Sequence, residues 1–301
     1  MNMRIGIIGA GSIGLLFSWY LSEKHEVTLY TRTVHQADMI NRQGVALVKE
    51  AEAVRKLPAK PMDEWMGGDD LTIITVKQYQ LHEVLIQIED KLDKAGSLLF
   101  LQNGMGHLKL VEKLQASSVY VGSIEHGAVR ESAVRVRHNG SGAIRAAVFK
   151  GSIVRLEELA NNVPEDFSIQ VETDYYDILV RKLVVNAVIN PLTAAFEVQN
   201  GILLANPFYR KIAISLLEET LCVLEMADKE EHYRNVVNVC EKTASNYSSM
   251  YGDLSQGRPT EIDAILGFLM EEAEKRGVHC PYISNYYHVI KGKELQGEVV
   301  T

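Results

Sequence analysis

The segment MRIGIIGAGSIG, residues 3–14, decides the fold class of this chain. Its first seven residues predict a buried strand, and the apolar pattern from Ser12 to Lys24 predicts a helix. The turn between them has the pattern G-x-G-x-x-G and consists of Gly9, Ala10, Gly11, Ser12, Ile13 and Gly14. In this setting the glycines permit a tight turn, close approach of the backbone to a pyrophosphate, and helix–strand packing. The segment predicts a dinucleotide-binding loop, with a plain strand-to-helix turn as the alternative.

The pattern of strand followed by helix continues beyond this unit. Strands are predicted at 26–30, 71–76 and 97–102, and helices at 34–42, 78–92 and 108–114. Such alternation indicates βαβ units and a doubly wound, mostly parallel sheet. Residues 119–148 contain further strand signals and are interpreted as the far side of the same sheet.

Helical signals dominate from about Asp174 to the end of the chain. The segment Asn161-Asn162-Val163-Pro164 is typical of a loop and marks the region where the domains meet. We therefore expect an α/β protein with a Rossmann-type dinucleotide-binding domain over 1–168 and an all-helical substrate-binding domain over 169–301.

Composition excludes several functional classes. The 301 residues are 47% hydrophobic and 23% charged with a net charge of -8, which argues against a disordered chain and against nucleic-acid binding. The three cysteines form no C-x-x-C pair, so neither disulfides nor a metal site are expected. We expect the protein to reside in the reducing cytoplasm. Glycines interrupt the apolar segment 5–21, and no apolar run of about 20 residues occurs elsewhere, so neither a signal peptide nor a membrane span is expected.

The end of the second predicted strand indicates which cofactor the loop binds. A site for NAD usually has an acidic residue there, which holds the ribose hydroxyls. Here the strand ends Leu29-Tyr30-Thr31-Arg32, without an acid. A guanidinium group can hold the 2′-phosphate of NADP in a bidentate contact. Arg32 therefore favours NADPH, with a solvated surface arginine as the alternative.

Polar residues follow three other strands, at the edge where ligands of open α/β sheets bind. Lys77 follows the strand at 71–76, Asn103 follows the strand at 97–102, and His126 follows VYVGSI. For Lys77 and Asn103 the alternative is a loop residue without a functional role. His126 is interpreted as a structural histidine, with an acid–base group as the alternative.

A polar stripe marks a predicted buried helix over 181–193. Lys182, Asn186 and Asn190 are spaced four residues apart, so they lie along one face of a helix that is otherwise apolar. Burying an amine and two amides is costly unless polar groups meet them. The stripe predicts a substrate site with Lys182 as a proton donor; the alternative is a network between helices. Pro191 is expected to bend this helix.

Two other helix starts are predicted from capping patterns. Asn206 followed by Pro207 predicts the start of a long helix, and Thr260 with Asp263 resembles a capping box. Glu261 would lie in the first turn of the latter helix, where a carboxylate ordinarily makes a favourable contact with the helix dipole.

These motifs together resemble the ketopantoate reductase family. The resemblance runs from GAGSIG through QNGMG and RKLVVNAVINPLTA to SSM and GRPTEID, and covers most of the chain. It implies a dinucleotide-binding domain, a helical domain, and NADPH-dependent reduction of 2-dehydropantoate to (R)-pantoate, a step towards coenzyme A.

The resemblance also implies a role for individual residues. Lys182 corresponds to the proton donor. The implied substrate ligands are Asn103, Asn186, Asn190, Asn200 and Ser249. The implied cofactor contacts are Gly9, Ala10, Gly11, Ser12, Ile13, Gly14, Arg32, Lys77, Asn103, Ala128 and Glu261. The expected partner is a small 2-keto acid, without nucleic acid or membrane, and a homodimer is allowed.

Two positions depart from the family pattern and bear on the substrate. Leu266 stands where an asparagine is usual, and Glu125 adds a negative charge beside His126. A reductase of another 2-keto acid is therefore an alternative. A non-catalytic NADP-binding sensor is a second alternative, because the fold alone does not distinguish it from an enzyme.

Overall fold

The computed structural model describes residues 2–92 and 96–299. The chain divides into two compact units. The first contains the residues up to Gln102 together with His107–Ile178, and the second contains Asn103–Gly106 together with the chain from Leu179 onwards. The predicted boundary after residue 168 differs from this division in the stretch 169–178 and in the short loop 103–106.

The first unit contains all the described strands. In chain order they are β1 (Arg4–Ile8), β2 (Glu26–Thr31), β3 (Val45–Val48), β4 (Glu52–Arg55), β5 (Ala59–Pro61), β6 (Leu71–Ile74), β7 (Ser97–Phe100), β8 (Ser118–Ile124), β9 (Gly127–Arg130), β10 (Arg135–Gly140), β11 (Ile144–Lys150) and β12 (Ile169–Glu172). Its helices are α1 (Ser12–Leu21), α2 (Val34–Gln43), α3 (Gln78–Glu89), α4 (Leu108–Val111) and α5 (Val154–Ala160).

Eight strands form the main sheet in the order β12-β11-β8-β7-β6-β1-β2-β5. All pairs from β8 to β5 are parallel, whereas β11 is antiparallel to β8. Strands β6, β7 and β8 are buried along their whole length, as expected for parallel strands covered on both faces. The predicted doubly wound α/β sheet is confirmed.

A second sheet has the order β4-β3-β10-β9 and packs against α1. The interpretation of 119–148 as one side of the main sheet is therefore wrong in part, because β9 and β10 belong to this smaller sheet. Strand β10 pairs in parallel with β3, which lies about 90 residues earlier in the chain. Local patterns do not report such a distant pairing.

The core of the first unit lies between α1 and the two sheets. Phe17 and Tyr20 of α1 pack against the ring of Phe167, with centroid distances of 4.9 and 4.2 Å. Both tryptophans of the chain, Trp19 and Trp65, belong to this unit. Helix α3 buries Leu81, Val84, Leu85 and Ile88, the apolar face that its sequence predicts.

The described part of the second unit is helical. Its helices are α6 (Tyr175–Phe196), α7 (Ile202–Ala205), α8 (Pro207–Val223), α9 (Lys229–Lys242), α10 (Ser249–Leu254), α11 (Phe268–Arg276) and α12 (Pro281–Val299). A π-helix over Asp263–Gly267 precedes α11. The boundary between the units falls inside α6.

Helix α6 is long and apolar enough to cross a membrane by length and composition alone, although 78% of its apolar window is buried within the protein. A core helix of a globular protein has these properties. Pro191 lies inside α6, and the hydroxyl of Thr193 donates to the Ile189 carbonyl.

The start of α8 is as predicted, because the Asn206 side chain accepts hydrogen bonds from the N–H groups of Phe208 and Tyr209. The capping box at Thr260 is wrong in detail. The Thr260 hydroxyl accepts from the Ile262 N–H at 3.2 Å, whereas the Asp263 carboxylate accepts from Tyr287 and Lys291.

Candidate active site

The glycine loop, residues 9–14, joins β1 to α1 at the carboxyl edge of the main sheet. A Cβ on residue 14 would lie 1.7 Å from the Gly9 carbonyl oxygen, so only glycine lets α1 begin this close to β1. Gly11, in contrast, faces open space: a Cβ there would have no heavy atom of the described residues within 4 Å.

This open backbone fits a phosphate group. Gly11 is the N-cap residue of the ten-residue helix α1, and no acidic side chain lies in its first turn. The unpaired N–H groups and the positive end of the helix dipole there suit an anion. The residues present therefore fit the pyrophosphate of a dinucleotide.

The carbonyl groups of the loop are held by side chains from other elements. The Thr75 hydroxyl donates to the Gly9 oxygen at 2.8 Å and also lies 3.1 Å from the Ile8 oxygen. The Gln36 amide donates to the Ala10 oxygen at 3.0 Å. Thr75 and Gln36 could not be identified from the sequence, because single polar residues after a strand and in a helix give no pattern.

The end of β2 lies beside the glycine loop, since the Gly9 N–H donates to the Tyr30 carbonyl at 2.9 Å. Arg32 follows β2 directly and its side chain is exposed. Residues 28–36 contain no acidic side chain, so no carboxylate from this stretch would repel a 2′-phosphate. The structure thus brings Arg32 and the glycine loop to the same edge of the sheet.

Lys77 lies at this edge as well. It is half-buried at the start of α3, three residues after β6, which is the neighbour of β1. The Gln102 amide donates to the carbonyls of Ile74 and Val76, both at 3.0 Å, and so ties the segment before Lys77 to the end of β7. Ala128 lies in β9 of the smaller sheet, half-buried against the core of the first unit.

In the second unit, α6 presents the predicted polar row. Lys182 and Asn186 are half-buried and Asn190 is buried. Their spacing of four residues places them on successive turns, and the row is about 12 Å long at 1.5 Å per residue. The structure therefore confirms that the three residues share a helix, and gives each at least partial burial.

Asn190 borders a narrow recess, which we call the Asn190 recess. It is lined by Asn190, Ser249, Met250, Asp253, Glu261 and Ile265. Polar and apolar side chains thus border the same recess. Asp253 could not be identified from the sequence, and its carboxylate is paired with Arg258 at 2.8 Å.

Asn103 contacts this recess through Glu261. Its side-chain amide donates to the Glu261 carboxylate at 2.7 Å, and Glu261 is buried. A Cβ on Gly104 would lie 2.1 Å from the Ala264 carbonyl oxygen, so glycine lets this loop pack against the π-helix. Two residues 158 positions apart in sequence are brought together in this way.

Ser249 and Asn200 have different surroundings. Ser249 is exposed and is the first residue of α10, and the Ser248 hydroxyl caps that helix. Asn200 is buried, and its amide donates to the Thr243 hydroxyl at 2.8 Å. Asn200 does not line the Asn190 recess.

The two positions that depart from the family pattern also have defined surroundings. The Glu125 carboxylate is paired with Arg145 at 2.7 Å, so its charge is partly compensated. Leu266 is fully buried in the π-helix.

His126 belongs to a buried chain of side chains in the first unit, which we call the His–Tyr chain: His126, His138 and Tyr20. His126 Nδ1 lies 2.8 Å from His138 Nε2, and His138 Nδ1 lies 3.0 Å from the Tyr20 hydroxyl. Burial, followed by the charges of His138 and Lys49, lowers the pKa of His126 to about 4. This environment agrees with the interpretation of His126 as structural.

Comparison with known proteins covers nearly the whole chain. A protein named 2-dehydropantoate 2-reductase from Bacillus subtilis (strain 168) is 42% identical, over 97% of this chain and 98% of that protein. The crystal structure of a probable 2-dehydropantoate 2-reductase from Bacillus subtilis superposes with a TM-score of 0.88 at 40% identity, over 97% of this chain and 100% of the other.

A second solved structure belongs to a protein with a different name. D-mandelate dehydrogenase, in a ternary structure with NADH and anilino(oxo)acetate, superposes with a TM-score of 0.91 at 26% identity, over 98% of this chain and 99% of the other.

Two family models account for both units. The model described as ketopantoate reductase PanE/ApbA matches residues 5–151, and the model of its C-terminal part matches residues 174–294. Together with the relatives, these matches show that the chain belongs to the ketopantoate reductase PanE/ApbA family.

Proposed function

We propose that this protein is an NADPH-dependent reductase that converts 2-dehydropantoate to (R)-pantoate. The observation that carries the proposal is the polar row of α6, which ends at the Asn190 recess beside the Asn103–Glu261 hydrogen bond. The names of the relatives support the same reaction, since the Bacillus subtilis protein is a 2-dehydropantoate 2-reductase.

The first unit would hold the cofactor. The N–H groups at the start of α1 would bind the pyrophosphate, and the Arg32 guanidinium would bind the 2′-phosphate that distinguishes NADPH from NADH. Lys77 and Ala128 would make further contacts with the cofactor. When bound, the nicotinamide supplies the hydride that reduces a keto carbon.

Lys182 would act on the oxygen of that carbonyl. Its ammonium group donates a hydrogen bond, stabilises the negative charge that develops on the oxygen, and then transfers a proton to give the hydroxyl. Partial burial on an apolar helix strengthens both effects, because there is less water to screen the charge.

The amides of the second unit would fix the substrate. Asn186, Asn190 and Ser249 can donate hydrogen bonds to a carboxylate and bind a hydroxyl, while Met250 and Ile265 offer apolar contacts for a branched carbon chain. Asn200 would contribute from the α6–α7 loop, and Glu261 would bind near the nicotinamide end, held by Asn103. Assembly as a homodimer stays a prediction.

Two alternative functions are tested together with this proposal. A reductase of a different 2-keto acid is favoured by the similarity to D-mandelate dehydrogenase, and a non-catalytic NADP-binding sensor would keep the fold without turnover. A sensor has no need of the Lys182 row.

The decisive experiment is a panel of 2-keto acids, including 2-dehydropantoate and phenylglyoxylate, assayed with NADPH and with NADH. We expect the highest kcat/KM for 2-dehydropantoate with NADPH, measured as loss of absorbance at the nicotinamide band. A higher value for an aromatic keto acid would assign another substrate, and the absence of turnover with every acid would favour a sensor.

The same assay tests the cofactor contact. The Arg32→Ala variant should raise the KM for NADPH about tenfold or more, through loss of a charge-assisted contact, and leave the KM for NADH unchanged. An equal rise in the KM for NADPH and for NADH would show that Arg32 does not bind the 2′-phosphate.

A further inference from the structure

Gln36 lies in the first turn of α2, and its side-chain amide links two loops of the first unit. The Nε2 atom donates to the Ala10 carbonyl at 3.0 Å and to the Ala133 carbonyl at 2.8 Å. Its backbone N–H donates to the hydroxyl of Thr33, which caps α2. Because the amide and the backbone are both engaged, the side chain is held in one orientation.

The contact with Ala10 also fixes the next N–H group. In a trans peptide the C=O of one residue and the N–H of the following residue point in opposite directions within one rigid plane. A donor that holds the Ala10 oxygen therefore sets the direction of the Gly11 N–H. Thr75 acts in the same way on the preceding peptide, through the Gly9 oxygen.

We propose that Gln36 is a positioning residue, which aims the Gly11 N–H at the pyrophosphate of the cofactor by holding the Ala10 carbonyl. The inference rests on the proposed function, because it takes the glycine loop as the phosphate site. Gln36 itself touches no cofactor atom in this proposal.

Loss of the Gln36 amide and loss of the Arg32 guanidinium should affect nucleotide binding in different ways. Without the Gln36 amide, the Ala10–Gly11 peptide loses its partner and can rotate, so every ligand with a pyrophosphate binds more weakly. The 2′-phosphate is bound by Arg32 in the proposed function, so its contribution to binding is unchanged. NADPH and NADH are therefore affected equally, and kcat at saturating cofactor is retained.

The test uses Gln36→Met, which keeps the length of the side chain and removes both donors, and Gln36→Glu, which keeps its shape. Titration calorimetry on the full chain compares ADP, which carries a pyrophosphate, with 2′-AMP, which does not. We expect the Kd for ADP to rise about tenfold in both variants and the Kd for 2′-AMP to stay unchanged. Arg32→Ala should show the reverse.

Gln43→Met, on the exposed last turn of the same helix, is the matched control and should bind both nucleotides as the unaltered protein does. An unchanged Kd for ADP in both Gln36 variants would overturn the proposal. Equal weakening of ADP and 2′-AMP with a lower Tm would also overturn it, since that result indicates general loss of structure. Failure of the unaltered protein to bind ADP would instead contradict the proposed cofactor site.

Discussion

Lys182 combines two functions in the proposed reaction, which substitution can separate. Lys182→Ala removes both the charge and the proton, and should lower kcat about 100-fold or more. Lys182→Arg keeps a positive charge but gives up its proton far less readily, so kcat should fall while the KM for the keto acid stays closer to normal. Steady-state kinetics at saturating NADPH measures both.

Arg181, the preceding residue on α6, provides the matched control. Its side chain is exposed and paired with Glu231, so Arg181→Ala should retain nearly full turnover. Unchanged turnover in Lys182→Ala would remove this lysine from the mechanism.

Single residues also show where prediction from sequence ends. Lys182, Asn186 and Asn190 could be identified because their spacing matches the helical repeat. Asn103 and Glu261 could be named but not paired, since nothing local records a contact over 158 residues. Gln36 and Thr75 gave no signal, because their contacts are with backbone carbonyls, which every sequence possesses.

At the scale of elements, the His–Tyr chain joins α1 to the smaller sheet. Tyr20 projects from α1, His138 lies in β10, and His126 precedes β9. The charged groups that face them are Lys49 and Asp166, which form an ion pair at 2.8 Å. Burial is the main cause of the lowered pKa of both His126 and His138.

This arrangement predicts that the protein becomes less stable as the pH falls below neutrality. The pKa of His126 is about 4 in the folded state and 6.5 in the reference state, so the unfolded chain binds more protons between these values. The stability from His126 is complete above pH 6.5 and is lost progressively towards pH 4. Its share between pH 7 and pH 5 is about 2 kcal/mol.

Urea unfolding at several pH values measures this effect. In His126→Gln the free energy of unfolding should depend less steeply on pH between 7 and 5, with His25 and His138 accounting for the remaining slope. His82→Gln, an exposed histidine on α3, should keep the original slope. An unaltered slope in His126→Gln would show that folding does not lower the pKa of His126.

The elements that sequence predicts well are those with a local repeat. The parallel strands appear as short apolar runs and α3 as an apolar face, and both are confirmed. Strands β3 and β4 are not predicted from the sequence. Strand β4 is short and largely exposed, so it contains no apolar run. Their assignment to a second sheet depends on pairing with β10, a distant segment.

At the scale of the whole molecule, the cofactor should stabilise the two units unequally. Both tryptophans lie in the first unit, so their fluorescence reports its unfolding. NADPH at about 100 times its Kd adds about 2.7 kcal/mol of stability, which should raise the fluorescence midpoint by roughly 5–10 °C. Far-UV circular dichroism also records the helices of the second unit.

Lys182→Ala is the matched control, since it should leave cofactor binding intact and retain the same rise in midpoint. Absence of a rise in the unaltered protein would contradict a cofactor site in the first unit. Because the chain has two compact units, the two signals need not share one transition.

The second unit is not continuous in the chain, since Asn103–Gly106 belongs to it while its other residues begin at Leu179. A chimaera made by joining two homologues near residue 178 would take Asn103 from one parent and Glu261 from the other. Functional recombination between family members therefore demands that these two positions be inherited together, which a single crossover between them cannot achieve.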